Sequence, residues 1–329
     1  MTTMAAILRR CIEDAGWVDA PAGDPLDAHA YLAILRHLYR TGRRDLPAGR
    51  LLEGHVDAVQ IVLRYGSPHQ VERFRERLAQ GATAGVWNAG LPDEPLVLAD
   101  GRLDGGKSYA SGASVLSHAL VNADTDRGPQ LLLLDLARVP PAVDRDWWRT
   151  LGMQRSETHQ VRWSDGPIAA DDMIGEPASY AREPFFSGGA LRFVAVHAGG
   201  IAGLLDAVRD HLVATSRADD PFQAARLAEL FALAESAAAT VRHTAQSWFD
   251  EPDPARLARV AAARIQVASA GERAIAVAQE AVGLQGLFLA HPLAARLADL
   301  MVYLRQPAPD AQRLKVGRAV ANGDLDAVL

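Results

Sequence analysis

The side chains that most often carry chemistry are sparse in this sequence. Ten histidines are scattered over 329 residues, none in a His-x-x-x-His spacing, and with one cysteine no Cys-x-x-Cys pair exists. A metal centre needs such ligands to converge, so none is expected. His118 and His197 read as structural histidines with satisfied ring nitrogens. Cys11 allows no intrachain disulfide and reads as a small core residue rather than a nucleophile. The glycine-rich run from Gly101 to Gly106 opens no helix, so it reads as a hairpin turn and not a dinucleotide loop. No Gly-x-Ser-x-Gly elbow occurs. The remaining polar groups sit in short, punctuated segments. Gly85-Val86-Trp87-Asn88 ends in an amide. Gly106-Lys107-Ser108-Tyr109-Ala110-Ser111-Gly112 reads as a strand running into a Ser-Gly turn, with the Ser111 hydroxyl at its end. Arg217 and Gln223 flank Asp220-Pro221, a helix-helix turn with an Asp cap, and Gly283-Leu284-Gln285-Gly286 is bounded by glycines.

The elements that must position these groups fall into three stretches: residues 1–80 helical, 81–185 β, and 186–329 helical. Ala30 to Tyr39 carries apolar residues at helical spacing. Pro47-Ala48-Gly49 punctuates the chain. Leu51 to Tyr65 is amphipathic, with Val56, Val59, Val62 and Leu63 on one face. Ser67-Pro68 opens another helix as N-cap and first residue. From Gly81 the helical period disappears. Short apolar runs such as Ala119-Leu120-Val121 and Leu131 to Leu134 alternate with Gly, Pro and Asp clusters, which predicts six to eight strands. From Gly188 the helices return: Leu191 to Thr215, then one opened by Asp220-Pro221, one by Asp253-Pro254, one by His291-Pro292, and a short last one after Pro309. Alanines at Ala237–Ala239 and Ala261–Ala263 let long helices pack closely, as a bundle needs. Gly199-Gly200 on the first of these predicts a close approach by a neighbour or a ligand.

Composition bounds the partners. A net charge of −6 argues against nucleic acid, whose phosphates draw on clustered Lys and Arg. The pair Arg43-Arg44 reads as solvated surface. Hydrophobic residues at 49% and charged ones at 22% are ordinary for a globular protein. Arg9-Arg10 follow the first apolar run, the wrong order for a secretory signal. No stretch reads as the run of about 18 apolar residues that spans a bilayer. A soluble, cytoplasmic protein is expected.

The segments quoted above resemble the acyl-CoA dehydrogenase family of flavoproteins, most closely from Gly81 to about Asp299. The resemblance implies an α+β fold: an N-terminal helical domain, a central β-barrel-like domain and a C-terminal four-helix bundle, with FAD between the β domain and the bundle. Gly106 to Gly112 resembles the strand that places a hydroxyl against the isoalloxazine, which implies cofactor contacts from Ser111 and Gly112. Gly85 to Asn88 resembles the strand before the family's Thr-Glu-Pro segment. That segment is replaced by Ala89 to Pro95, leaving Trp87 and Asn88 as the implied contacts. Leu151-Gly152-Met153 through Ile174-Gly175-Glu176 resembles a β hairpin leading into the bundle. Arg217 and Gln223 resemble an Arg-x-x-Phe-Gly…Gln motif that reaches the flavin of a neighbouring subunit, here without its Phe-Gly. Gly283, Gln285 and Gly286 resemble a turn on the adenosine half of the cofactor, again across a subunit boundary. Pro292 to Asp299 resembles the helix that follows. The implied partners are an acyl thioester or another small molecule, and a related or identical chain in a homo- or hetero-oligomer.

The family reaction is α,β-dehydrogenation of an acyl thioester, and it needs a base beside the thioester carbonyl. Counting from Asp299, the family's Glu position falls on Pro307 within Arg305-Gln306-Pro307-Ala308-Pro309. The other family placement falls in Gly188 to Phe193, also without a carboxylate. The catalytic residue is therefore unassigned. Two further expectations follow. Relatives that oxygenate small molecules with reduced flavin need no such glutamate and often carry an aromatic-Ala-Ser-Gly sequence, which Tyr109 to Gly112 resembles. A non-catalytic subunit of a hetero-oligomer would also lack the base.

Overall fold

The computed structural model describes residues 2–18 and 20–327. In chain order it has α1 (Met4–Asp14), α2 (Ala28–Arg44), α3 (Leu46–Tyr65) and α4 (Pro68–Ala79). Then come β1 (Ala84–Trp87), β2 (Val97–Ala99), β3 (Arg102–Ala110), β4 (His118–Ala123), β5 (Gln130–Asp135), β6 (Ala142–Asp144), β7 (His159–Pro167) and β8 (Met173–Ile174). The helical part comprises α5 (Phe185–Gly188), α6 (Ala190–Ala214), α7 (Pro221–Asp250), α8 (Asp253–Val282), α9 (Pro292–Tyr303) and α10 (Pro309–Asn322). The eight strands among the described residues fall within the expected six to eight.

Local chemistry sets the boundaries. The Asp27 carboxylate accepts from the Ala30 N–H at 2.7 Å and starts α2. Ser67 and Gln70 form a reciprocal capping box at α4, with Pro68 in the first turn. Asp220 accepts from the N–H groups of Phe222 and Gln223, and His291 Nδ1 accepts from the Leu293 N–H. Two expected starts move. Pro47-Ala48-Gly49 lies inside α3, because Asp45 caps the Ala48 N–H at 3.0 Å and Pro47 falls in the first turn, where it lacks no needed donor. At α8 the N-cap is Pro252, while Asp253 is helical and pairs with Arg256.

By internal packing the chain divides into two units. The first contains residues 2–18, 20–24, 50–149 and 154–182. Its strands form two four-stranded sheets, ordered β1-β4-β5-β8 and β2-β3-β7-β6. In the first sheet β1 and β4 run parallel and the other pairs antiparallel. The segment expected as a hairpin is not one: β7 pairs with β3 and β6, whereas β8 pairs with β5 in the other sheet. The core joins Val59, Val62 and Phe74 of α3 and α4 to Leu120, Leu131 and Ile174. His55 Nδ1 accepts the Ala84 N–H at 3.2 Å and pins the start of β1 to α3.

The second unit holds residues 25–49, 150–153 and 183–327. Its centre is α6, whose Leu191, Val194, Ala198, Ile201 and Leu204 are all buried. The stretch Phe185–Ala214 is long and apolar enough to cross a membrane by length and composition, contrary to the expectation that no stretch would be. Of its most apolar window, 78% is buried inside the bundle, which accounts for the composition of a core helix. Gly199 faces the Tyr39 carbonyl so closely that a Cβ would strike it, so the Gly-Gly pair serves the packing of α2 on α6. Arg43 is not simply solvated. Its guanidinium makes two bonds to the Asp206 carboxylate, at 2.6 and 2.8 Å. Ala237, Ala261 and Ala263 are buried on α7 and α8.

Candidate functional site

In the first unit, the ends of β1 and β3 bring the expected residues together. Trp87 is almost fully buried, and its indole N–H donates to the Ser111 carbonyl at 2.9 Å. That bond ties the end of β1 to the turn after β3. Gly112 sits at φ +75°, a conformation a side chain resists, and its N–H donates to the Ser156 carbonyl at 2.9 Å. The Thr158 hydroxyl donates to Ser111 Oγ at 2.9 Å, and Ser156 Oγ lies 2.7 Å from Thr158 Oγ1. Each hydroxyl has one proton. With Thr158 donating to Ser111, Ser156 donates to Thr158, and the Ser111 proton is the open end of a buried three-hydroxyl relay. Asn88 is exposed at the end of β1, and its Oδ1 accepts from Asn122 Nδ2 at 2.9 Å.

Sequence reasoning missed the surroundings of that turn. Tyr109 has φ +52° at a register shift of β3, and its ring is exposed. It stands edge-on to Trp147 with centroids 5.0 Å apart, and Trp148 lies 6.3 Å away. The adjacent tryptophans and the Ser156-x-Thr158 pair were visible in the sequence. Their convergence on one turn depends on the β3–β7 pairing.

In the second unit, α7 and α8 are antiparallel partners, so the start of α7 and the end of α8 share one end of the bundle. Arg226 and Glu280 bridge them at 3.9 Å there. Gln223 is in the first turn of α7, buried, and its Oε1 has no partner among the described residues. Gly283 ends α8 at φ +73°, and Gly283–Leu287 forms a tight 3-10 turn with Gln285 exposed and Gly286 packed on Leu293 and Val282. Arg217 is exposed in the preceding turn. These five residues thus gather at one end, apart in sequence from Ser111 and Gly112. Asp299 Oδ1 accepts from the Met153 N–H at 2.5 Å, which ties the Leu151–Met153 segment to α9.

The position matching the family's base lies between α9 and α10. It holds Leu304, Arg305, Gln306, Pro307 and Ala308. The Pro307 carbonyl accepts from Arg264 at 2.8 Å, and Gln306 donates to the Tyr303 carbonyl at 2.9 Å. Asp310, the nearest carboxylate in sequence, is 92% exposed and paired with Arg313 at 2.8 Å. At the other family position, Gly188 lies against the Trp248 ring. Among the described residues no cluster of His, Cys, Asp or Glu has the arrangement of a metal site. The structural histidines differ in detail. His118 is satisfied by Arg77 and Ser117. His197 is not: its Nε2 is buried without a partner.

No family model matches the chain. Among curated proteins it resembles the dibenzothiophene monooxygenase of Mycolicibacterium goodii, 25% identical over 250 residues, which is 65% of this chain and 59% of that relative. The chain thus matches about three fifths of the length of this relative. Among solved structures it resembles FMN-bound TdsC from Paenibacillus sp. A11-2, with a TM-score of 0.79 and 18% identity over 97% of both chains. Methanesulfinate monooxygenase MsuC from Pseudomonas fluorescens gives 0.77 and 16% over 99% of both. A glutaryl-coenzyme A dehydrogenase in complex with glutaryl-CoA gives 0.78 and 17% over 95% of this chain and 86% of that one. The chain therefore has the acyl-CoA dehydrogenase-like fold, with helical N- and C-terminal parts and a central β region.

Proposed function

We propose that this protein is a flavin-dependent monooxygenase of small molecules, built on the acyl-CoA dehydrogenase-like fold. The observation that carries the reading is the α9–α10 connection, which holds no carboxylate, while Asp310 is committed to Arg313 and exposed to water. A thioester α-proton would find no base at either family position. The resemblance to the dibenzothiophene monooxygenase supports the same choice.

The residues present fit a flavin. The Ser111 hydroxyl proton is free at the end of its relay, and a flavin ring needs donors at its heteroatoms. Gln223 Oε1 is buried and unsatisfied, a state a bound donor would relieve. A bound flavin supplies the electron transfer to dioxygen. The chain holds the Ser111 donor in place through Trp87 and Thr158, and presents Tyr109, Trp147 and Trp148 as an aromatic surface beside that turn. Such a surface suits a planar apolar substrate. The electrons come from a reductase partner. Whether the cofactor is FAD or FMN is read directly by extracting it, because Gly283–Leu287 is the turn that resembles an adenosine contact. An oligomer supplies the neighbouring subunit that this turn implies.

The test is a spectrum of the purified protein with added flavin, followed by anaerobic acyl-CoA and by reduced flavin with labelled dioxygen. The expected result is a bound-flavin spectrum, no bleaching by acyl-CoA, and label in the oxygenated product of an aromatic or sulfur compound such as dibenzothiophene. Bleaching by an acyl-CoA would return the protein to the dehydrogenases.

A further inference from the structure

The end of α6 and the start of α9 meet through two histidine rings. His211 lies in the last turn of α6, and His291 is the N-cap of α9. Their ring centroids are 5.1 Å apart, and His291 Nε2 lies 3.1 Å from His211 Nδ1. His291 joins three pieces of chain. Its backbone N–H donates to the Phe288 carbonyl at 2.8 Å, its Nδ1 accepts from the Leu293 N–H at 3.1 Å, and its Nε2 meets His211. It thereby ties the Gly283–Leu287 turn and the first turn of α9 to α6. Gly286 packs on the buried Leu293 beside it.

The proton positions follow from these bonds alone. A backbone N–H only donates, so His291 Nδ1 is a bare lone pair. A neutral imidazole has one N–H. His291 therefore carries it on Nε2 and donates it to His211 Nδ1, and His211 carries its own proton on Nε2. That nitrogen is buried with no acceptor among the described residues, so the pair closes with one donor unmet and is weaker for it. A third proton has two places to go. On His291 Nδ1 it faces the Leu293 N–H and uncaps α9. On His211 Nδ1 it faces the His291 Nε2–H and parts the rings. Moving the His291 proton across to Nδ1 to make room uncaps the helix instead. No charged form of the pair keeps both bonds.

The neighbouring charges set where this happens. Burial, His291 and Arg217 in the turn after α6 push the pKa of His211 down, and no other charged side chain among the described residues acts on it. Asp210, next to it in the chain, is bonded to Arg209. The carbonyl end of α6 favours a cation, which limits the shift. His211 is thus neutral at pH 7 and titrates below its ordinary value of about 6.5.

We propose that His211 and His291 form an acid-sensitive latch, closed while both rings are neutral and opened by the first added proton, which loosens the segment from Gly283 to the start of α9. That segment carries the exposed Leu284, Leu287, Phe288 and Leu289, so acid acts on an apolar face of the bundle. The latch rests on hydrogen bonds within the helical unit and does not depend on the flavin reading.

The test combines nitrogen NMR of the histidine-labelled full chain with amide hydrogen exchange, corrected for intrinsic rates, at pH 7.5 and 5. At pH 7.5 both rings should carry their proton on Nε2. On acidification, residues 283–295 should lose at least tenfold more protection than the interior of α8. His291→Asn keeps an acceptor for the Leu293 N–H, cannot titrate and does not reach His211. Its segment should exchange fast already at pH 7.5, with no further loss relative to α8 at pH 5. His211→Asn keeps an oxygen where Nδ1 stood and leaves one titrating ring, so the acid loss should move to lower pH. The proposal is overturned if either wild-type ring carries its proton on Nδ1 at pH 7.5, or if the wild-type segment follows α8 within threefold. It is equally overturned if folded His291→Asn protein keeps the wild-type protection and its acid loss, or if folded His211→Asn protein loses protection at the wild-type pH. Should either variant not fold, the wild-type tautomers and pH profile decide the matter.

Discussion

At the scale of single residues, the decisive groups are those whose partners are fixed on one side and open on the other. Ser111 is the clearest case, with its oxygen occupied by Thr158 and its backbone held by Trp87. Replacing it with Ala should weaken flavin binding about tenfold, the loss of one hydrogen bond of roughly 1.4 kcal/mol. Quenching of flavin fluorescence on titration reads this directly, and an affinity within twofold of the wild type would remove Ser111 from the site. Buried histidines make a second, independent prediction. Burial pushes His55 and His118 down to about 4 and His197 to about 3, from 6.5 in the unfolded chain. As pH falls below 6.5, the unfolded chain binds protons that the native state refuses. Stability is therefore full above 6.5 and lost down to about 4, where the native rings begin to titrate too. His55 accepts the Ala84 N–H, so His55→Gln keeps an acceptor without the titration. Denaturant midpoints at pH 7 and 4.5 should show the variant losing about 1–3 kcal/mol less than the wild type. Parallel losses in the two proteins would refute the role of His55. The Ser111 turn was legible because hydroxyl, glycine and aromatic are adjacent in the chain. The unpaired Nε2 of His197 was not, because whether a histidine is satisfied depends on what packs around it.

At the scale of elements, the helix starts were readable wherever the capping chemistry is local. Asp220-Pro221, His291-Pro292 and Ser67-Pro68 all begin helices as expected. Pro47 misled because a proline marks a helix's first turn as readily as a break, and the side chain that decides between them is Asp45. Strand number was legible, but pairing was not. β7 and β8 are neighbours in sequence and members of different sheets, and register is settled by which apolar face is buried. The glycines of the helices offer a paired test of how much packing decides. A Cβ at Gly199 would strike the Tyr39 carbonyl on α2, whereas one at Gly317 in α10 would meet nothing. Gly199→Ala should cost about 1–3 kcal/mol by forcing α2 off α6. Gly317→Ala should stabilise by about 0.4–1 kcal/mol, since it removes only unfolded-state freedom and helix-breaking propensity. Urea unfolding of both variants checks the pair. If the two shift midpoints in the same direction, the close approach of α2 and α6 is not what Gly199 serves.

At the scale of the whole molecule, apolar surface is left exposed where the bundle carries its implied cofactor residues. Leu284, Leu287, Phe288 and Leu289 surround Gln285 and are 50–98% exposed, and Phe222, beside Gln223, is 75% exposed. Large apolar side chains gathered in one place mark an association surface more often than bare solvent contact. In a symmetric oligomer the same patch appears on every subunit, so one substitution acts on each copy of the interface. The double variant Phe222→Gln with Leu289→Gln removes apolar side chains without touching Gln223, Gly283, Gln285 or Gly286. If the cofactor is completed by a neighbouring chain, this variant should lower the sedimentation coefficient and weaken flavin binding together, and both should recover as protein concentration rises. If flavin binding depended on one chain alone, sedimentation would change while affinity did not. A variant that still assembles like the wild type would place the oligomer interface elsewhere on the molecule. Concentration dependence separates these cases, because binding that needs two chains follows mass action in the chain itself.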